Sequence, residues 1–126
     1  MTTFNDNFLR ACRGQPVDHT PVWFMRQAGR YQAEYRALKQ DRTIYDIIKN
    51  PELCAYVTKL PLDQLGVDAA ILFSDIMTPI APMGLENEIK PNYGPYVPDP
   101  VRNHADVQQL SVPHYEQATP YVAETI

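Results

Sequence analysis

The chain has 126 residues, 44% of them hydrophobic, which is enough for one modest domain with its own core and too few for two. A formal net charge of -4 and a pI near 5.2 weigh against a nucleic-acid binder, which would carry a basic face. No apolar run reaches the roughly 18 residues that a membrane-spanning helix takes, and no secretory leader is evident, so a soluble cytoplasmic protein with no membrane partner is expected.

Charge is unevenly distributed. Residues 1–42 sum to +3 and residues 43–126 to -7, and a basic segment inside an acidic protein suits a small polyanion better than a nucleic acid. Cys12 and Cys54 both sit among apolar residues in helical contexts and read as buried, reduced thiols.

In chain order, residues 5–13 set Phe8, Leu9 and Cys12 at helical spacing, and Gly14 closes that helix. Residues 22–25, Val-Trp-Phe-Met, are short, apolar and abruptly ended by Arg26, which is how a buried parallel strand reads. Tyr31, Tyr35 and Leu38 then recur at helical spacing, with Arg36 and Lys39 on the opposite face. Thr43 is placed to N-cap a third helix carrying Ile44, Ile47 and Ile48. Asn50 and Pro51 open a fourth that buries Leu53, Val57 and Leu60, kinks at Pro61 and stops at Gly66.

Residues 67–73 form a second small-and-apolar run, again ended by polar residues, Ser74 and Asp75. Strand, helices, strand is the grammar of a parallel α/β sheet. Beyond Thr78 the chain holds eight of its twelve prolines; residues 90–100 suggest a hairpin excursion, and residues 104–110 and 120–126 two further helices, the second cappable by Thr119. Two buried parallel strands need neighbours on both sides. The expected architecture is therefore the N-terminal part of a (β/α)8 barrel: two strands, their flanking helices and a hairpin, with residues 1–126 one portion of a single barrel domain.

Ligands of parallel α/β folds sit at the C-terminal ends of strands, which singles out Arg26 after the first run and Asp75 after the second. Arg26 and Arg30 flank Gln27, Ala28 and Gly29, and two guanidiniums plus backbone N–H groups near a glycine suit carboxylates or phosphates. The alternative is that these arginines cap carbonyls or pair with acidic residues of nearby helices. Asp75 follows an apolar run, where a carboxylate wants partners: either a structural cation, for which Arg26 and Arg30 are candidates, or an N–H-donating substrate. His19, His104 and His114 have no metal-ligand spacing and read as surface histidines. Tyr93 and Tyr96 either line a ligand mouth or pack within a hairpin.

Pro21-Val22-Trp23-Phe24-Met25-Arg26-Gln27-Ala28-Gly29-Arg30-Tyr31 resembles the N-terminal signature of the uroporphyrinogen decarboxylase family. Gly66-Val67-Asp68-Ala69-Ala70-Ile71-Leu72-Phe73-Ser74-Asp75-Ile76 resembles the family's second-strand segment, and residues 5–14 its opening helix. The resemblance implies a homodimeric, cytoplasmic (β/α)8 barrel that works without metal or organic cofactor on a tetrapyrrole polycarboxylate. Its four acetate side chains become methyls as uroporphyrinogen III is converted to coproporphyrinogen III with release of carbon dioxide.

The resemblance also implies roles. Asp75, Arg26 and Arg30 are the expected catalytic residues: Arg26 and Arg30 contact substrate carboxylates and can assist proton delivery, the backbone of Gln27, Ala28 and Gly29 shapes the pocket, Asp75 accepts hydrogen bonds from pyrrole N–H groups, and Tyr45 lies near the substrate. The tyrosine, serine or threonine and histidine that the family brings from later strands are not among these 126 residues, so the chain alone is expected to be inactive. The competing readings are a non-enzymatic fragment and a corrinoid-linked methyltransferase of the same superfamily, which the arginine loop and Asp75 disfavour.

Overall fold

The computed structural model describes residues 5–25, 27–90 and 93–126. They fall into two compact units, one running to Phe73 and including Thr125, the other holding Ser74–Glu124 and Ile126.

In the first unit, α1 (Asn7–Cys12) ends where Gly14, at φ +67°, donates its N–H to the Ala11 carbonyl and Gln15 donates to Arg10, both at 3.0 Å. These paired bonds close the helix as a Schellman end does. The inward residue of α1 is Asn7, 5% exposed, and not the apolar set: Phe8 and Leu9 are 44% and 40% exposed, and Cys12 is exposed as well. The expected apolar stripe, with Cys12 buried on it, is therefore corrected. The helix turns Asn7 inward because its amide serves the loop that follows, accepting from the Asp18 N–H and donating to His19. Of the two thiols, Cys54 alone is buried.

Three more helices build the core. In α2 (Ala33–Leu38) Tyr35 is buried, while Tyr31 precedes the helix and is exposed. A capping box starts α3 (Ile44–Ile48): Thr43 Oγ1 accepts from the Asp46 N–H, and the Asp46 carboxylate accepts from the Thr43 N–H. Asn50 caps α4 (Pro51–Leu65) through Leu53 N–H, with Pro51 in the first turn, where its missing N–H costs nothing. That helix continues through buried Pro61 and stops at Gly66, whose left-handed backbone (φ +64°) sends its N–H to the Leu62 carbonyl. Tyr35, Ile47 and Val57 form the centre of the core, with Ala28, Leu38, Leu53 and Phe73 against them. The Tyr35 and Phe73 rings meet edge to face at 5.4 Å.

The two expected parallel strands do not form a ladder. Among the described residues the only sheet is a two-stranded hairpin, and residues 22–25 and 67–73 share one backbone hydrogen bond, from the Asp68 N–H to the Val22 carbonyl at 3.0 Å. Side chains pair the rest. The Asp68 carboxylate takes the Val22 N–H, Gln27 reaches the Ala69 carbonyl, Thr58 Oγ1 accepts from the Phe73 N–H, and the Cys54 thiol donates to the Phe73 carbonyl. A parallel strand gains its backbone bonds and its burial from neighbours on both sides. Here Trp23, Phe24 and Met25 remain 42%, 56% and 78% exposed, and Ile71 49%.

In the second unit, tight turns run from Asp75 to Leu85, and Ser111 ties back to them by donating its N–H to Met83 and its hydroxyl to Pro82. The hairpin of β1 (Glu88–Lys90) and β2 (Gly94–Tyr96) is antiparallel, with Glu88 opposite Tyr96 and Lys90 opposite Gly94. Lys90 Nζ lies 3.4 Å from the Tyr96 ring centroid, and Tyr93 meets Tyr96 edge to face. The Tyr96 ring is thus engaged within the hairpin, while Tyr93 stays 73% exposed. Asn103 and Asp106 form a second capping box at α5 (His104–Gln108), followed by α6 (Tyr115–Ala118) and α7 (Pro120–Thr125). Thr119 does not cap α7; its hydroxyl donates to the Tyr115 carbonyl of the preceding helix.

Candidate functional site

The turn after residue 26 is fixed by its glutamines. Gln27 is 6% exposed, and its amide is satisfied at both ends: Nε2 donates to the Ala69 carbonyl at 3.0 Å and Oε1 accepts from the Phe24 N–H at 3.1 Å. Its backbone N–H also returns to the Phe24 carbonyl, and its carbonyl accepts from the Tyr31 hydroxyl. Ala28 packs on the core. Gly29 donates to Gln32 Oε1 at 3.0 Å, and Gln32, 2% exposed, reaches on to Gln64 of α4. The N–H groups of Gln27 and Gly29 are thus consumed inside the turn. Of the backbone amides expected to face an anion, these two are therefore already occupied.

Arg26 lies outside the described residues. Arg30 is exposed, and among the described residues its guanidinium makes no hydrogen bond or ion pair. Carbonyl capping falls to Arg36 instead, whose Nη1 donates to the carbonyls of Arg30 at 2.8 Å and Tyr31 at 2.7 Å. The backbone carrying Arg30 is pinned while its head is exposed. Burial pushes the Tyr35 hydroxyl above its ordinary range, and the positive charge of Arg30 partly offsets this, which sets that guanidinium within electrostatic reach of the core's edge.

Tyr45, half-buried on α3, has Lys49 Nζ 6.0 Å from its ring centroid. Asp75 belongs to the second unit. It is half-buried, and its Oδ1 accepts from the Met77 N–H at 2.7 Å while its carbonyl accepts from the Thr78 N–H. This local turn fixes one carboxylate oxygen, and the other accepts no hydrogen bond among the described residues. A cleft of about 630 Å³ in the same unit, bordered by Glu86, Asp99, Arg102 and Asp106, does not include Asp75.

Sequence reasoning missed Asp68, Gln32 and Arg36. Asp68 is the most connected: its side chain is 3% exposed and accepts from Asn5 Nδ2 at 2.8 Å, His19 Nε2 at 2.9 Å and the Val22 N–H at 2.9 Å. His19, expected as a surface residue, is half-exposed but bonded at both ring nitrogens. A signal was present, since an aspartate inside a buried-type run requires donors; it went unused because the donors are distant in sequence.

Comparison with known proteins supplies the class first. The family model described as uroporphyrinogen decarboxylase (URO-D) matches residues 3–126, and the chain belongs to that family. The uroporphyrinogen decarboxylases of Bacillus subtilis (strain 168) and Bacillus pumilus (strain SAFR-032) are 56% and 54% identical to it, each over 98% of this chain. That of Geobacillus sp. (strain WCH70) is 56% identical over 97%. The chain spans about a third, 35%, of the length of each of these relatives.

Proposed function

We propose that this chain supplies part of the substrate site of a uroporphyrinogen decarboxylase, a cytoplasmic, homodimeric carboxy-lyase of porphyrin biosynthesis. It converts the four acetates of uroporphyrinogen III to methyls, giving coproporphyrinogen III and carbon dioxide without a cofactor. Residues 22–25 and 67–73 are read as the first two strands of its (β/α)8 barrel, which gain backbone partners and burial from the neighbours a closed barrel provides. The observation that carries the reading is the exposed Arg30 guanidinium, which has no hydrogen bond or ion pair among the described residues, on a turn that Gln27, Gln32 and Arg36 hold rigid.

The chemistry follows from the charges. Loss of carbon dioxide from an acetate on an electron-rich pyrrole is helped by protonating the ring, which places positive charge beside its N–H groups. A prefixed carboxylate stabilises that charge as it develops, and Asp75, with one oxygen held by Met77 N–H and the other accepting no hydrogen bond among the described residues, supplies it. Arg30, with Arg26, binds the side-chain carboxylates, and Gln27, Ala28, Gly29 and Tyr45 shape the surroundings. Arginine holds its proton too tightly to make an easy general acid, so its part is binding.

The test is titration of the 126-residue polypeptide with the octacarboxylate uroporphyrin I, read by quenching of Trp23, the single tryptophan. Arg30→Ala is expected to weaken binding by roughly tenfold or more, the worth of one hydrogen bond to a charged group, with Arg30→Lys in between. Coproporphyrinogen formation by the polypeptide alone is expected to be nil. Equal binding by wild type and Arg30→Ala would remove the reading.

A further inference from the structure

The carboxylate with the most hydrogen-bond donors among the described residues lies outside the residues just assigned to substrate. Asp68 follows α4 and grips Val22 from both sides: its N–H donates to the Val22 carbonyl at 3.0 Å and its Oδ2 accepts the Val22 N–H at 2.9 Å. Val22 is the root of the segment that leads through Phe24 and Gln27 into the arginine turn. One residue beyond Asp68, the Ala69 carbonyl receives Gln27 Nε2, so both ends of the segment from Val22 to Gln27 are fastened to residues 68 and 69.

The other oxygen of Asp68 is held from the opposite direction. Asn5 Nδ2 and His19 Nε2 both meet Oδ1, at 2.8 and 2.9 Å. Asn7 Oδ1 accepts from the Asp18 N–H, so its Nδ2 is the group facing His19 Nδ1 at 3.2 Å, and an amide nitrogen can only donate. His19 Nδ1 is therefore the acceptor, and in the neutral ring the hydrogen sits on Nε2, aimed at Asp68. Asn7, 5% exposed, thus selects the tautomer that serves the carboxylate.

We propose that Asp68 is a positioning residue for the arginine turn, with His19 and Asn7 as its supports. Its carboxylate fixes Val22, and through Val22 and Gln27 sets where Arg30 presents its charge. The assignment of that arginine to substrate rests on the function proposed above; the fastening of the segment does not, and the two are separable by experiment.

Amide hydrogen exchange tests the fastening. In the wild-type chain the Val22, Phe24 and Gln27 amides are expected to be protected. Asp68→Asn, which keeps one acceptor oxygen and loses the other, should speed their exchange by roughly tenfold or more, the worth of one hydrogen bond to a charged group, while the α4 amides of Val57 and Leu60 stay unchanged. His19→Gln, at a half-exposed position, should do the same more weakly, and it stands in if Asp68→Asn loses α4 protection. Unchanged exchange at Val22 and Phe24 in the variant that retains α4 protection would overturn the proposal.

Uroporphyrin I binding then tests the consequence. If the wild type binds, Asp68→Asn should weaken binding by a factor similar to its effect on exchange, and full affinity despite loosened exchange overturns the positioning role. If the wild type does not bind, the function proposed above fails, and the exchange result still decides whether Asp68 fastens the turn.

Discussion

Gln27 shows how much of the site depends on an uncharged side chain. Its amide answers two backbone groups separated by 45 residues of chain, the Phe24 N–H and the Ala69 carbonyl, and Ala69 is itself 9% exposed. Gln27→Leu keeps the volume but leaves the buried Ala69 carbonyl without its donor, while the N–H of exposed Phe24 can turn to water. An orphaned buried group costs about 1–3 kcal/mol, so a loss of that size is expected in urea unfolding followed by Trp23 emission. Gln15→Leu, at an exposed glutamine, should stay within about 0.5 kcal/mol of wild type. Comparable midpoints for the two variants would mean that the Gln27 bonds contribute nothing. Arg36 is a different case, because the carbonyls it serves are on exposed residues that water can satisfy; it orients the turn more than it stabilises the fold.

At the level of elements, the helix ends were legible in the sequence because their chemistry is local. Thr43, Asn50, Pro51 and Gly66 each act within four residues of themselves, and all four do what their types dictate. Gly66 permits a sharp test: a methyl group added there meets nothing within 4 Å, yet its φ of +64° disfavours any residue with a Cβ. Gly66→Ala is expected to cost about 1–2 kcal/mol by thermal or urea unfolding, all of it conformational, with Gly66→Asn costing less. A neutral Gly66→Ala would show that the backbone leaves the left-handed region at no cost. What was not legible depends on partners far along the chain. The apolar spelling of residues 22–25 and 67–73 is that of buried parallel strands, but a ladder needs neighbours on both sides, and here Asp68, Gln27, Thr58 and Cys54 answer the backbone in its place. Likewise Phe8, Leu9 and Cys12 have helical spacing, yet Asn7 turns inward because of His19 and Asp18, a demand that no periodicity in α1 reveals. For the site, the arginine turn and Asp75 were readable as polar ends of apolar runs, whereas Gln32, Arg36 and Asp68 became visible only through their distant partners.

Over the whole molecule, the shifted groups predict the shape of stability against pH. Three carboxylates of the unit that ends at Phe73 are held below their ordinary range: Asp68 chiefly by the Val22 N–H, Asp46 chiefly by the Thr43 N–H, and Glu34 chiefly by a backbone N–H. A carboxylate lowered in the folded state binds its proton more readily once unfolded, so its contribution is present above the unfolded value and is lost as pH falls. For aspartate and glutamate that loss begins near pH 4. Burial has the opposite effect on Cys54 and Tyr35 of that unit and on Tyr121 of the other, pushing all three up. Their stabilising contribution is complete below the unfolded values, about 8.5 for a thiol and about 10 for a phenol, and is lost as pH rises through them. The melting temperature should therefore be nearly flat between about pH 5 and 8 and fall on both sides. Because Trp23 adjoins Val22, its emission should register the acid limb, and Asp68→Asn, which removes the group with the most donors, should blunt that limb while leaving the alkaline one in place. An acid limb of equal steepness in wild type and Asp68→Asn would mean that the carboxylate draws nothing from Val22, Asn5 and His19.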